Sequence, residues 1–240
     1  MRRPAVQKKA RDRSIVDDVI QSIVERVREG GLSAGQRLVE ADFTARLGVS
    51  RGVVREAFQR LMADGLLEME RHRGVRVKEV TARDFDNIFA VRTALEGLAA
   101  QLATPVLSKA PQLLIDCHER LREAVGAGDV HEFIMLNHEF HQIIVLAANN
   151  PVLSDACRRL GNTIHQVEAK TMIRRNVMLS SLGEHQRIVN AIVGGDAEKA
   201  RAFAEEHQRS SAEQIRQLQQ PRPTPVLARR GSRSRELGEQ

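Results

Sequence analysis

Little in this chain of 240 residues is suited to chemistry of its own. It has two cysteines, Cys117 and Cys157, at neither a metal-type nor a redox-type spacing. They are too few for a disulfide framework and read as core thiols. No apolar run approaches the roughly 18–20 residues of a membrane span, and "MRRPAVQKKARDR" has no signal-peptide core behind it. These absences lead us to expect a soluble, cytoplasmic protein with no membrane partner. There is also no His-Glu-x-x-His stretch and no serine- or cysteine-nucleophile motif, which argues against a metallohydrolase or an acyl-transfer enzyme.

What the chain does have is unevenly placed charge. The formal net charge is +6, from 37 Lys and Arg against 31 Asp and Glu. Residues 1–80 hold 17 basic and 12 acidic side chains, residues 81–220 hold 15 and 17, and residues 221–240 hold 5 and 2. A basic first third joined to a slightly acidic middle points to a polyanion partner for the first part only.

The local pattern divides along the same line. Residues 1–12 and 220–240 are rich in Pro, Arg, Ser and Gly and are expected to be disordered tails. Between 13 and 80 a helix is expected over 14–29, with Ile15, Val19, Ile23 and Val27 on one face. A turn and short extended segment follow ("GGLSAGQRL"), then a short helix over 40–47. A third helix starts at the N-cap Ser50 and stops at Gly65, with Val54, Phe58, Leu61 and Met62 as its apolar stripe. "LLEMERHRGVRVKEV" alternates around Gly74 as a hairpin would. This order is that of a winged helix-turn-helix.

From 81 to 219 strand signals vanish. Six helices are expected, over about 82–103, 109–126, 129–148, 151–175, 181–194 and 196–218, with Asp129 and Asp196 as N-caps. The fold class is therefore mainly α, a winged helix-turn-helix followed by an all-α six-helix bundle. Such bundles commonly build ligand and metal sites in their interiors.

Two side chains of the third helix lie off its apolar stripe. Arg51 and Arg55 stand one turn apart near its positive end, where cations weaken a helix slightly. In a helix-turn-helix that end enters the major groove, and arginine can bond guanine O6 and N7 together. Gly52 between them would let the backbone approach the duplex. Arg71 and Arg73 flank the wing tip, within reach of phosphates or a minor groove. The competing explanation is a merely solvated basic face.

These residues carry a resemblance. "AGQRLVEADFTARLGVSRGVVREAFQRLMADGLLEMERHRGVRV" resembles the DNA-binding domain of GntR-type bacterial transcriptional regulators. The resemblance implies that Ser50, Arg51, Gly52, Val53 and Arg55 line the DNA, with Arg37 at the backbone and a wing at Arg73–Gly74. Gly52 and Val53 replace a frequent Thr-Pro or Thr-Thr pair, and Ala41 stands where some relatives carry arginine, so base preference is expected to differ.

In the bundle the histidines are informative. Asn137 and His141 are i and i+4 on one helix, while His185 and His207 fall on the last two. His138 is rotated away from that pair. Spacing alone allows a cation site but equally allows ordinary, partly buried histidines. Here "VRTALEGLAAQLA", "LNHEFHQIIVLAANNPVL" and "EHQRIVNAIVGGDAEKARAFAEEH" resemble the helical effector (FCD-type) domain of the FadR subfamily, with six helices as in its VanR-like branch. That resemblance implies a divalent metal, zinc first with nickel or manganese as alternatives, held by Asn137, His141, His185 and His207. Asparagine stands where aspartate is common, so all donors would be neutral and leave the ion its full charge for an anion. It also implies that Arg92 faces an effector cavity, although a structural ion pair with a neighbouring helix would explain an arginine there equally well. Metal and Arg92 together imply a small organic acid as effector, bound by Arg92, Asn137, His141, His185 and His207.

The expected function is a ligand-responsive, DNA-binding repressor, homodimeric because inverted-repeat half-sites of an operator need two reading heads. It is not expected to be an enzyme. The alternatives are a metal-dependent all-α enzyme with a DNA-binding appendage and a ligand-independent architectural DNA protein.

Overall fold

The computed structural model describes residues 14–71, 73–172 and 174–219, and the expected tails 1–12 and 220–240 lie outside them. Helix α1 (Ile15–Arg28) begins with a capping box between Ser14 and Asp17 and buries Val16, Val19, Ile23, Val24 and Val27. Strand β1 (Arg37–Leu38), helix α2 (Glu40–Leu47) and helix α3 (Arg51–Ala63) follow. Gly48 turns the chain between α2 and α3 with φ +66°, a left-handed value that glycine adopts at little cost. Ser50 caps α3 by accepting from the Val53 N–H.

Strands β2 (Leu67–Glu70) and β3 (Gly74–Val77) form the wing. β3 lies between its antiparallel neighbours β1 and β2, with Arg37 opposite Arg76 and Glu70 opposite Gly74. Beneath the sheet, Val54, Phe58 and Leu61 of α3 meet the buried face of α1. Phe43 of α2 closes this core, its ring edge-on to Phe58 at 5.5 Å between centroids. Met62, expected in the stripe, is only half-buried.

Among the described residues the second part is six helices: α4 (Ala82–Leu107), α5 (Gln112–Ala127), α6 (Val130–Ala147), α7 (Pro151–Met172), α8 (Arg175–Val193) and α9 (Ala197–Gln219). α4 runs along α9 and also packs on α6, α7 and α8. Asp129 and Asp196 accept from the backbone N–H groups of Glu132 and Lys199, as N-caps do. No helix among the described residues is long and apolar enough to cross a membrane.

Two boundaries differ most from the sequence reading. α4 does not stop before Pro105 but carries it inside its last turn. There the ring's fixed φ is already helical, and the missing N–H removes a single bond near the frayed end. Burial of Ala103, Thr104 and Leu107 holds the turn. α8 begins at Arg175, not near 181, because Val177, Met178 and Ser181 extend the buried face of His185 and Ile188 backward by more than a turn.

The two parts meet through α1 and α7. Arg28, at the end of α1, is buried, and its Nη2 lies 3.2 Å from His138 Nε2 on α6. Asp64, just past α3, is ion-paired with Arg158 on α7 and lies 3.8 Å from Arg159 Nε.

Candidate reading helix and buried histidine cluster

The first candidate surface is the start of α3 with the wing beside it. Ser50, Arg51, Gly52 and Arg55 are exposed, and Val53 is half-buried against the domain core. A Cβ on Gly52 would meet nothing nearer than Ser50 Oγ at 3.8 Å, so this patch of backbone is bare. Arg51 has no ion-pair partner among the described residues. Arg55 does: its Nε and Nη2 lie 3.1 and 3.0 Å from the two carboxylate oxygens of Glu40. At the wing, Gly74 has φ +91°, and the Arg37 guanidinium lies against it, under 4 Å from where a Cβ would stand. Arg71 and Arg73 are exposed beside the tip, with Arg73 Nη1 3.2 Å from Glu70. The fold thus gathers Arg37, Arg71, Arg73 and Gly74 at one end and Ser50 to Arg55 at the other.

The second candidate site lies in the bundle. His141 on α6, His185 on α8 and His207 on α9 bring ring nitrogens within 4.8 Å of one another. His207 Nε2 is 3.2 Å from His185 Nε2 and 3.3 Å from His141 Nε2. His185 and His207 are buried, and His185 stacks on Phe140 at 4.2 Å between centroids.

Carboxylates behind the rings decide their tautomers. His141 Nδ1 is 2.7 Å from Glu96 Oε2, and His207 Nδ1 is 2.6 Å from Glu184 Oε2. Burial works against the charge of Glu96, but His141 and Arg92 beside it hold its pKa well below the usual carboxylate range. Burial likewise opposes Glu184, and hydrogen bonds from His207 and Ser210 outweigh it. Both carboxylates are therefore ionised acceptors, so the protons of these contacts sit on Nδ1. Nε2 of His141 and of His207 then point lone pairs at each other. One proton, on His185 Nε2, can serve only the contact with His207. Protonating His185 or His207 further is disfavoured: burial pushes the pKa of His185 well down, with His207 and His141 adding to it. Burial also lowers that of His207, against an opposing pull from Glu184.

Converging lone pairs whose far nitrogens are bound to carboxylates are what a cation-holding histidine set requires. Nearby polar atoms agree. Asn137, one turn before His141, is buried and its Oδ1 has no hydrogen-bond partner. Ser181 Oγ and Gln208 Oε1, one turn before His185 and next to His207, are in the same condition, as is His185 Nδ1. Buried orphans are rare, and these three oxygens belong to residues beside the cluster histidines in sequence, whereas His185 Nδ1 lies on the far side of its ring from the converging Nε2 atoms.

Arg92 is connected to the cluster through Glu96, which accepts from Arg92 Nε at 2.6 Å and from Gln208 Nε2 at 2.8 Å. Arg92 thus has an ion pair within its own helix, four residues on. The layer behind the rings is charged: Glu96 and Glu184 place two negative charges one ring away. Sequence reasoning missed both. Their only signal is an acidic residue inside a buried helical stripe, with no spacing that ties it to a histidine on another helix.

Beside the cluster opens a cavity of about 990 Å³, lined on the cluster side by Arg92, Glu96 and His141. His138, rotated away from the cluster as expected, lines it too, and so do Ile20, Val24 and Arg28 of α1. One wall of the bundle's cavity therefore belongs to the helix that supports α3.

Comparison with known proteins agrees with both halves. Residues 15–77 match the gntR family of bacterial regulatory proteins, and residues 87–210 match the FCD domain. The chain is 33% identical to the probable D-xylose utilization operon transcriptional repressor of Paenarthrobacter nicotinovorans, over 82% of this chain and 86% of that one. It is 26% identical to the transcriptional repressor RspR of Escherichia coli, over 79% and 83%. Among solved structures, E. coli McbR/YncC superposes with a TM-score of 0.77 at 25% identity, covering 86% of this chain and 99% of that one. A helix-turn-helix with its wing, a histidine-bearing six-helix bundle behind it and relatives matched along most of their length lead to one conclusion: this chain is a transcriptional regulator and belongs to the GntR family, in the branch that carries an FCD domain.

Proposed function

We propose that the protein is a metal-loaded repressor, released from its operator by a small organic acid. Residues 13–80 form the reading domain, in which Arg37, Ser50, Arg51, Gly52, Val53, Arg55, Arg71, Arg73 and Gly74 meet the duplex. Residues 81–219 form the effector and dimerisation domain. Two copies are needed because a symmetric operator presents two half-sites at fixed spacing. The repressor reading is supported by the Paenarthrobacter and E. coli relatives, which are named as repressors.

The observation that carries the metal is the convergence of three Nε2 atoms whose Nδ1 partners, in two cases, are ionised carboxylates. Asn137, His141, His185 and His207 would hold the ion. Imidazole donors with one amide oxygen suit zinc, with nickel or manganese as alternatives. The ion would supply positive charge for an acid's carboxylate. Arg92 lines the same cavity, and a guanidinium is suited to a carboxylate.

Elemental analysis of the purified protein should find close to one divalent ion per chain. His185→Ala combined with His207→Ala should abolish it while helicity persists. Sugar acids, dicarboxylates and aromatic acids titrated into a DNA-bound complex then separate the classes: release supports the regulator, turnover an enzyme, and indifference an architectural protein. A metal-free wild type with normal acid response would sink the metal site.

A further inference from the structure

Glu40 opens α2, and its carboxylate accepts from Arg55 on α3 through both oxygens, at 3.1 Å from Nε and 3.0 Å from Nη2. The contact ties together the two helices of the helix-turn-helix at the face that would meet DNA. As a stabiliser it contributes little. The Arg55 side chain is 63% exposed and that of Glu40 33%, and pairs so exposed are screened and weak. Its geometry is more telling than its strength.

A guanidinium has five N–H bonds in one plane. Glu40 occupies the side edge, formed by Nε and one hydrogen of Nη2. The end edge, formed by Nη1 and the second hydrogen of Nη2, stays open. That end edge is a two-donor fork of the width that guanine's O6 and N7 accept. A long exposed arginine otherwise samples many rotamers and loses that freedom on binding. Held by Glu40, Arg55 has lost much of it before DNA arrives. Arg51, one turn earlier, has no such partner.

We propose that Glu40 is a positioning residue for base reading, holding Arg55 side-on so that its end edge reads one guanine in each half-site. This rests on the reading of α3 as the DNA-contacting helix. A second consequence follows from charge. The Glu40–Arg55 pair is neutral overall, so Arg55 contributes base discrimination with little counterion release, whereas an unpaired arginine adds counterion release in full.

The test is selection of bound sequences from a random duplex library by full-length wild type, Glu40→Ala, Glu40→Gln and Arg55→Lys. The wild type should enrich a guanine at one position per half-site. Both Glu40 variants should lower that preference by at least about threefold while leaving the other positions intact. On random DNA they should bind more tightly, with the salt slope steeper by about 0.9 for each freed arginine. Arg55→Lys, which cannot form a fork, should lose the same position. Thermal midpoints should stay at the wild-type value. An unchanged motif in Glu40→Ala overturns the proposal. So does an equal loss at every position, which is what a merely structural role would give. A sharper guanine preference would also overturn it, because Glu40 would then compete with DNA. If the wild type enriches no sequence at all, the reading helix fails and the buttress with it.

Discussion

Replacing Glu184 by glutamine tests whether the carboxylate layer tunes the histidine cluster. The amide keeps the shape of the side chain, so its oxygen can still accept from His207 Nδ1, now 2.6 Å from Glu184 Oε2. Ser210 Oγ, also 2.6 Å from the carboxylate, can turn to accept from the new NH2 group. What disappears is charge. A hydrogen bond to a charged group contributes about 1.5–3 kcal/mol and a neutral one about 0.5–1.5 kcal/mol. The difference, about 1–1.5 kcal/mol, corresponds to roughly tenfold in metal affinity. That sits at the lower end of the 10- to 100-fold range for loss of an outer partner of a ligating histidine. Alanine should cost more, because it also strands a buried N–H, at about 1–3 kcal/mol. The measurement is zinc competition against a chelating dye of known affinity, on full-length protein of verified helicity. Wild-type affinity in Glu184→Gln, alongside loss in His207→Ala, would refute the reasoning. Loss as complete as that of His207→Ala would refute it differently, by making the carboxylate itself a ligand.

Other outcomes follow from single contacts. Gly52→Ala has room for its methyl, so the free protein should gain several tenths to about 1 kcal/mol of stability while operator affinity falls; urea titration and fluorescence anisotropy read the two, and unimpaired DNA binding would turn Gly52 away from the duplex. Asn137→Asp should tighten metal binding and weaken the organic acid, by cancelling part of the ion's charge. Without metal the same change buries an unpartnered carboxylate, so a chelator should lower its thermal midpoint more than that of wild type. If calorimetry finds neither affinity moved, Asn137 is not a ligand. The thiols of Cys117 and Cys157 are both pushed up to about 12, chiefly by burial. At pH 8 only roughly one molecule in ten thousand would carry either thiolate, so Ellman's reagent should react promptly only after unfolding, and fast native reaction would contradict the burial.

The reading domain is legible because its signals are local. Ser50, Gly48 and Gly74 fix caps and turns through their own backbone preferences, and the apolar stripe of α3 needs no distant partner to be recognised. The end of α4 is less legible: Pro105 is a stop signal that a few buried side chains override, and burial is tertiary information. The same holds for the first turns of α8. Asn137 and His141 could be paired by helical spacing, whereas spacing merely allowed His185 and His207 to join them and resemblance to a family made the case. Glu96 and Glu184 stayed hidden because each acts on a histidine of a different helix, and nothing in one sequence records which helices face each other. The pairing of Arg55 with Glu40 escaped for the same reason.

The cavity wall supplied by α1 has a thermodynamic consequence. Ile20, Val24 and Arg28 line that space, while Val16, Val19 and Ile23 of the same helix form the floor under α3. A molecule that fills the cavity therefore touches the scaffold of the reading head, and a duplex that fixes α3 constrains the same scaffold from the other side. Coupling of this kind is reciprocal: if the small molecule changes DNA affinity by some factor, DNA changes the affinity for the small molecule by the same factor. Operator-bound copies and copies free of DNA would then respond to one concentration of the signal with different occupancies. Each binding site sets its own threshold through the strength of its hold on the protein.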